Sequence, residues 1–188
     1  YGTARFLLLR GLGLIYLVAF FTLQQQLYGL ISSEGLLPAG LFLEKARLYF
    51  GEDATPWVRL PTLFWFGVSD AVLYLTCYVG LALSLSLLMG YAHALQLFAL
   101  WAIYLSFNGI GQVFYGFIWE ILLLETGFLA IFLAPFGRGP TPPSTAVIWL
   151  YRWLLFRLLC GAGLIKLRGD ACRWDLPGME CHYQTPPL

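Results

Sequence analysis

Charge is scarce in this chain. Asp, Glu, Lys and Arg make up 11% of its 188 residues, against about 25% in an ordinary soluble domain. So little charge cannot cover the surface of a soluble globule of this size, which points to lipid as the solvent. An excess of one sign is missing too. The net charge is +1, and with no zinc-finger or RNA-binding signature nothing suggests nucleic acid as a partner. Signatures of common catalysis are also absent: no HExxH, no phosphate-binding loop, no GxSxG and no Ser–His–Asp ordering. No cofactor is implied. Cysteine is sparse, at four residues. Cys77 and Cys160 lie inside apolar runs and read as small buried side chains. Cys172 and Cys181 lie in the polar C-terminal stretch and could pair if it faces an oxidising compartment. A lone His93 makes no metal site and reads as packed or interfacial. His182 has Cys172, Asp175, Glu180 and Cys181 nearby, but their spacing fits no standard zinc pattern, so no metal is expected.

What the chain has is apolar length. Hydrophobic residues account for 60% of it. Five stretches approach the ~20 apolar residues that cross a hydrocarbon core: Phe6–Ile31, Leu63–Met89, Tyr91–Phe107, Val113–Ala134 and Ala146–Leu167. None alternates at period two, so helices are the expected spanning element. The first run is too long for the ~7–15-residue core of a secretory signal and reads as a retained membrane helix. The expected fold is all-α: a polytopic transmembrane helical bundle of about five spans over residues 1–167, then a polar tail over 168–188. A chain that opens on Tyr1 and closes on Leu188 reads as part of a longer protein.

The connections carry their own signals. Between the first two spans, Ala39–Phe50 reads as a short helix in which Leu41, Phe42, Leu48 and Tyr49 are interspersed with Glu44, Lys45 and Arg47. Such a piece could lie in the membrane interface, or cover the bundle end as an ordinary loop helix. Gly90 marks a tight turn between spans two and three. Pro140, Pro142 and Pro143 mark a turn between spans four and five. Arg5 and Arg10 at the start of the first span suggest a cytosolic N-terminus. Five spans then place the tail on the far side of the membrane, although Lys45, Arg47 and Arg59 would lie on that side too.

Ionisable residues inside the spans stand out. A charge at mid-bilayer costs at least ~2.5–3.5 kcal/mol on insertion scales, so such residues tend to face the bundle interior and find partners. Span four carries Glu120 and Glu125; span five carries Arg152 and Arg157. At ~1.5 Å per residue, Glu125 and Arg152 lie about 14 and 9 Å from the intervening turn, and Glu120 and Arg157 about 21 and 17 Å. Two antiparallel spans could thus form a two-rung ladder, Glu125 with Arg152 and Glu120 with Arg157. Such pairs can serve register and assembly alone, or bind a client, a lipid headgroup or a proton. Lys166 could snorkel to the headgroups or neutralise a buried acid. Asp70 reads as a helix-end residue near the interface. With Asp170, His182 and Tyr183 it completes the candidate interface or lumenal positions. Trp57, Trp65, Trp119, Trp149 and Trp153 read first as interfacial belt and bundle core.

Three long stretches resemble the lipase maturation factors. They are LPTLFWFGVSDA (Leu60–Ala71), ALWAIYLSFNGIGQVFYGFIWEILLLETGFLAIFLAP (Ala99–Pro135), and Trp149–Leu188 with RWLLFRLLCGAGLIKLRGD and HYQTPPL. The RGL of Arg10–Leu12 agrees as well. The tail departs from the family pattern: Arg173 and Trp174 stand in swapped order, with Pro177, Gly178, Gln184 and Pro186 at altered positions. The resemblance implies a multi-pass protein of the endoplasmic reticulum membrane, or of the inner membrane in a bacterium. Its role would be the folding and assembly of secreted dimeric lipases, with a lipase client and the bilayer as partners. It also implies that residues 168–188 begin a lumenal C-terminal domain. The membrane part is distantly similar to that of the vitamin K-dependent carboxylases. That similarity supplies the alternative of a membrane enzyme or a lipid- or quinone-binding module, with Glu120, Glu125 or Lys166 as its base. A transporter would need repeated halves or paired broken helices, and neither is visible.

Overall fold

In lipid, each backbone N–H and C=O needs an internal partner, and a helix supplies one locally. The computed structural model describes residues 2–51, 55–135 and 144–167. Among them lie seven α-helices and no strand: α1 (Gly2–Leu30), α2 (Ala39–Phe50), α3 (Thr55–Arg59), α4 (Asp70–Met89), α5 (Ala94–Ile110), α6 (Ile118–Leu133) and α7 (Thr145–Leu167). Two 3-10 turns, Leu63–Phe66 and Gln112–Tyr115, precede α4 and α6. The chain forms two compact units, Tyr1–Ser144 and Thr145–Leu188.

In the first unit α1 lies along α4, and α5 along α6. At ~1.5 Å per residue, α4 is about 30 Å long, the thickness of a bilayer's hydrocarbon core. That length is enough to cross the core. The α1–α4 contact depends on glycine. A Cβ on Gly13 would lie 2.8 Å from the backbone nitrogen of Leu88. One on Gly80 would lie 2.6 Å from the Phe20 ring. Small residues let membrane helices approach closely where no hydrophobic drive joins them. Cys77, also buried, points its thiol at the Phe20 carbonyl at 3.4 Å. The centre of the unit is aromatic: Tyr104 meets Tyr16 and Phe20 edge-on at 5.6 and 5.5 Å, and Phe64 meets Phe107 at 5.0 Å. The outward faces stay apolar, with Leu14, Val18, Phe21, Leu75 and Leu85 exposed. In water that would be an aggregation surface; in lipid it is the ordinary outer face.

The helix bounds differ from the hydropathy reading in two informative places. The apolar run starting at Leu63 is not yet α4. Thr62 caps the 3-10 turn, accepting from the Phe64 N–H at 3.3 Å, and the chain breaks at Gly67, whose φ is 157°. Ser69 then caps α4 by accepting from the Val72 N–H at 3.3 Å. Likewise α6 begins at Ile118, because the apolar residues from Val113 lie in the second 3-10 turn and a bend at Gly116. The α4 terminus is as expected: Gly90 is left-handed at φ 109°, and the Gly90 and Tyr91 N–H groups bond the carbonyls of Leu87 and Ser86. His93 caps α5, its Nδ1 accepting from the Leu95 N–H at 3.2 Å.

The second unit is described by α7 alone. It is 23 residues long and apolar, with Trp149, Trp153 and Phe156 exposed. The Arg152 guanidinium stacks 4.9 Å from the centre of the Trp149 ring. Cys160 is exposed on this helix rather than buried. A thiol behaves as a small hydrophobe, which suits the apolar character of this helix.

Candidate functional site

At the α2 end of the first unit, the connections fold back onto the helices. Leaving α1, the chain uses the N–H groups of Leu36, Leu37 and Ala39 to satisfy the carbonyls of Gly29, Leu30 and Ile31 at 2.9–3.0 Å. Those carbonyls have no partner within the helix. Asp70, the first residue of α4, fastens the same segment: Ser33 donates its N–H to Oδ1 at 2.8 Å and its hydroxyl to Oδ2 at 2.5 Å. A carboxylate in the first turn also complements the positive end of the helix dipole. Beside it, the Glu34 carboxylate accepts from the Tyr28 hydroxyl at 2.8 Å. On the neighbouring pair, Thr62 donates to the Ser106 carbonyl at 3.2 Å, and the Leu63 N–H donates to Ser106 Oγ at 2.9 Å. Asn108 ties down the α5–α6 loop through the Tyr115 carbonyl at 2.5 Å. Within that loop Gln112 has a φ of 51°, unusual for a residue with a side chain.

Two features emerge from this scaffold. The first is a cleft of ≈ 580 Å³ between the start of α2 and the start of α4. Ile31, Pro38, Leu41, Val68 and Leu73 form its apolar wall, and Ser33, Ser69 and Asp70 its polar edge. The second is a buried polar cluster. Glu120 is 1% exposed in the first turn of α6, and its Oε2 accepts from the Phe117 N–H at 3.0 Å. Tyr104 and Tyr115 are both buried within electrostatic reach of that carboxylate. The Tyr115 hydroxyl finds no hydrogen-bond partner among the described residues. The Tyr16 hydroxyl sits against Gly127, where a Cβ would collide with it. Three helices and a loop thus each contribute one polar side chain to a single buried region. A carboxylate among phenols can exchange hydrogen bonds, but neither Glu120 nor Glu125 lines the cleft.

The expected site residues fall in separate places. Asp70 is joined to Ser33 and the cleft. Glu120 caps α6 at its end rather than sitting deep in a span, and Glu125 follows on the same helix. Arg152 and Arg157 lie on α7. The side chain of Lys166, and the whole of Asp170, Cys172, Cys181, His182 and Tyr183, lie outside the described residues. Among the described residues no three His, Cys, Asp or Glu side chains gather around a common point. Sequence reasoning did not single out Ser33 or the three tyrosines. Their partners come from other elements, so no spacing signals them; only the rarity of polar side chains in the spans could have drawn attention to Tyr16 and Tyr104.

Among the described residues, three helices are long and apolar enough to cross a membrane, Gly2–Leu30, Asp70–Met89 and Thr145–Ile165, with Ala94–Ile110 a shorter apolar helix. Comparison with known proteins agrees with this architecture. No solved structure matches the chain. Residues 3–188 match the lipase maturation factor transmembrane domain. Lipase maturation factor 1 of Mus musculus is 44% identical over 195 residues, covering 98% of this chain and 34% of the relative. Its Homo sapiens counterpart is 43% identical over 98% of this chain and 34% of the relative. Lipase maturation factor 2 of Xenopus laevis is 40% identical over 97% of this chain and 27% of the relative. The chain thus spans about a third of the length of these relatives. With its helical membrane architecture and a match running from residue 3 to residue 188, the chain belongs to the lipase maturation factor family through that family's transmembrane domain.

Proposed function

We propose that the chain is the membrane part of a folding and assembly factor of the endoplasmic reticulum, needed for secreted dimeric lipases to mature. The observation that carries this reading is the match to the family's transmembrane domain over residues 3–188, together with relatives named for lipase maturation. In this reading the bundle holds the factor in the membrane and the α2 end faces the lumen, where a lipase client is engaged. The Glu120–Arg157 and Glu125–Arg152 ladder expected from the sequence belongs to the same proposal, as a device of assembly. The test is rescue. The full-length parent is expressed in cells lacking their own maturation factor, its residence in the endoplasmic reticulum membrane is checked, and lipase activity in the medium is measured. Activity rises well above background if the proposal holds. Background activity with the factor abundant in that membrane contradicts it.

The buried Glu120 cluster supports a second reading, a membrane enzyme or a lipid- or quinone-binding module. A carboxylate beside buried phenols is a polar centre that pure packing does not require. Charge swaps separate the two readings. Glu120→Arg and Arg157→Glu alone lower abundance and the double swap restores it if the charges serve assembly. Normal abundance with lost activity in all three favours direct chemistry or binding.

A further inference from the structure

The cleft between α2 and α4 is built where a lipid headgroup lies. Asp70 starts a helix about as long as the hydrocarbon core is thick, so its carboxylate sits at the membrane surface. The cleft opens beside it, with one wall made by Ile31, Pro38, Leu41, Val68 and Leu73 and the carboxylate at its edge. At ≈ 580 Å³ it falls within the ~300–1,000 Å³ range of ordinary ligand pockets. Pro38, Leu41 and Val68 give the cleft an accessible apolar side over a buried floor of Ile31 and Leu73, and with the polar edge this matches an amphiphile in both halves.

Charge selects among amphiphiles. Both Asp70 oxygens accept from Ser33, a neutral donor, and no cationic side chain among the described residues bonds to them. The α4 N-terminus offsets only about half an elementary charge. Glu34, next to Ser33 in the chain, adds a second carboxylate and accepts from the Tyr28 hydroxyl. The described ionisable groups at this edge are therefore acidic, which attracts an ammonium group and repels a lipid whose head carries only a phosphate's negative charge.

We propose that this cleft binds a phospholipid with an ammonium headgroup, the ammonium set against Asp70 and the upper acyl chain along the apolar wall. The inference rests on the membrane placement of α4 and is independent of the lipase reading. A bound lipid would join α2 to α4 across the cleft and hold the α1–α2 connection in place.

The test uses the full-length parent, purified and stripped of lipid in detergent. Its thermal unfolding is followed with added dioleoylphosphatidylcholine, with dioleoylphosphatidylglycerol of the same acyl chains, or with an oligolysine peptide. Asp70→Asn removes the charge while keeping an acceptor for the Ser33 N–H. Gly40→Leu fills the cleft; a Cβ there meets only Val68 Cγ1, at 3.7 Å, so the added side chain has room. The expected result is a midpoint rise of several degrees with phosphatidylcholine and little with phosphatidylglycerol, and loss of most of that difference in each variant that unfolds cooperatively. Equal rises with the two lipids in the unaltered protein overturn the proposal, as does a full phosphatidylcholine rise in Asp70→Asn. A rise with oligolysine and none with phosphatidylcholine assigns the cleft to a basic protein segment and also overturns it.

Discussion

The helix pairs α1–α4 and α5–α6 solve one problem in two ways. Lipid gives helices no hydrophobic reason to associate, so contact must come from close packing or from polar bonds. The first pair relies mainly on packing, since Gly13 admits the α4 backbone and Gly80 the Phe20 ring, with Arg10 adding one bond to the Met89 carbonyl at 3.2 Å. The second pair uses polar anchors. Trp101 donates from its indole to the Leu124 carbonyl at 3.1 Å, and Glu120, Tyr104 and Tyr115 meet in the interior nearby. The first pair is long and acts as a brace. The second is shorter, at 17 and 16 residues, and holds the polar interior. Close helix packing is thus concentrated in one pair and most of the buried polar side chains in the other.

Substitutions can break each half of this contrast. The largest effect is expected from Gly13→Leu, because the obstructing atoms are backbone and cannot rotate away. Its cost should reach or exceed the ~3 kcal/mol upper end of ordinary overpacking. Detergent-titration unfolding would show it, with a matching fall in cellular abundance. An effect under about 1 kcal/mol would mean that α1 and α4 do not need their close approach.

Glu120→Leu comes next. It orphans the Phe117 N–H and removes the carboxylate beside two buried phenols, which should cost about 1–3 kcal/mol. The same unfolding assay reads it, and an unchanged midpoint would show that the cluster contributes nothing to holding α6. Trp101→Phe keeps a ring against Phe128 but loses the bond to Leu124, a loss of about 0.6–1.7 kcal/mol by the measured range for membrane hydrogen bonds. A cost near that of Gly13→Leu would erase the distinction between the pairs. Ser33→Ala is the mildest. It deletes one exposed bond to Asp70 and leaves the N–H bond intact, for about 0.5–1 kcal/mol. Faster proteolysis within residues 31–38, with little change in global unfolding, is the expected signature.

Much of this architecture was readable before any coordinates. The α2 bounds, Ala39–Phe50, coincide with the expected short helix, because Pro38 and Gly51 bracket a mixed apolar and charged run. The Gly90 turn follows from a glycine between two apolar stretches. Span starts were harder. Phe64, Trp65 and Phe66 are as apolar as any membrane helix, and only the Thr62 and Ser69 hydroxyls, acting as caps, show that α4 begins later. The same blindness affected Val113–Phe117, where hydropathy sees lipid and the backbone makes a 3-10 turn. The five-residue α3 left no periodicity long enough to detect. In the candidate site Glu120 was conspicuous as a charge among leucines. Its tyrosine neighbours were not, since Tyr16 and Tyr104 come from distant turns of other helices. Asp70 was visible as a helix-end acid, whereas its bond to Ser33 joins residues 37 apart in sequence and has no local signature.

The central proposal is that this membrane bundle serves maturation by holding its factor together, without chemistry of its own at Glu120. The direct measurement is secreted lipase activity divided by factor abundance for Glu120→Gln in the full-length parent, in cells lacking other maturation factors. Glutamine keeps an oxygen for the Phe117 N–H and removes only the acid. The account predicts a ratio within about twofold of the unaltered protein, since less than ~0.4 kcal/mol of function would be lost. A tenfold fall in that ratio at normal abundance would contradict it and make the buried carboxyl a working group.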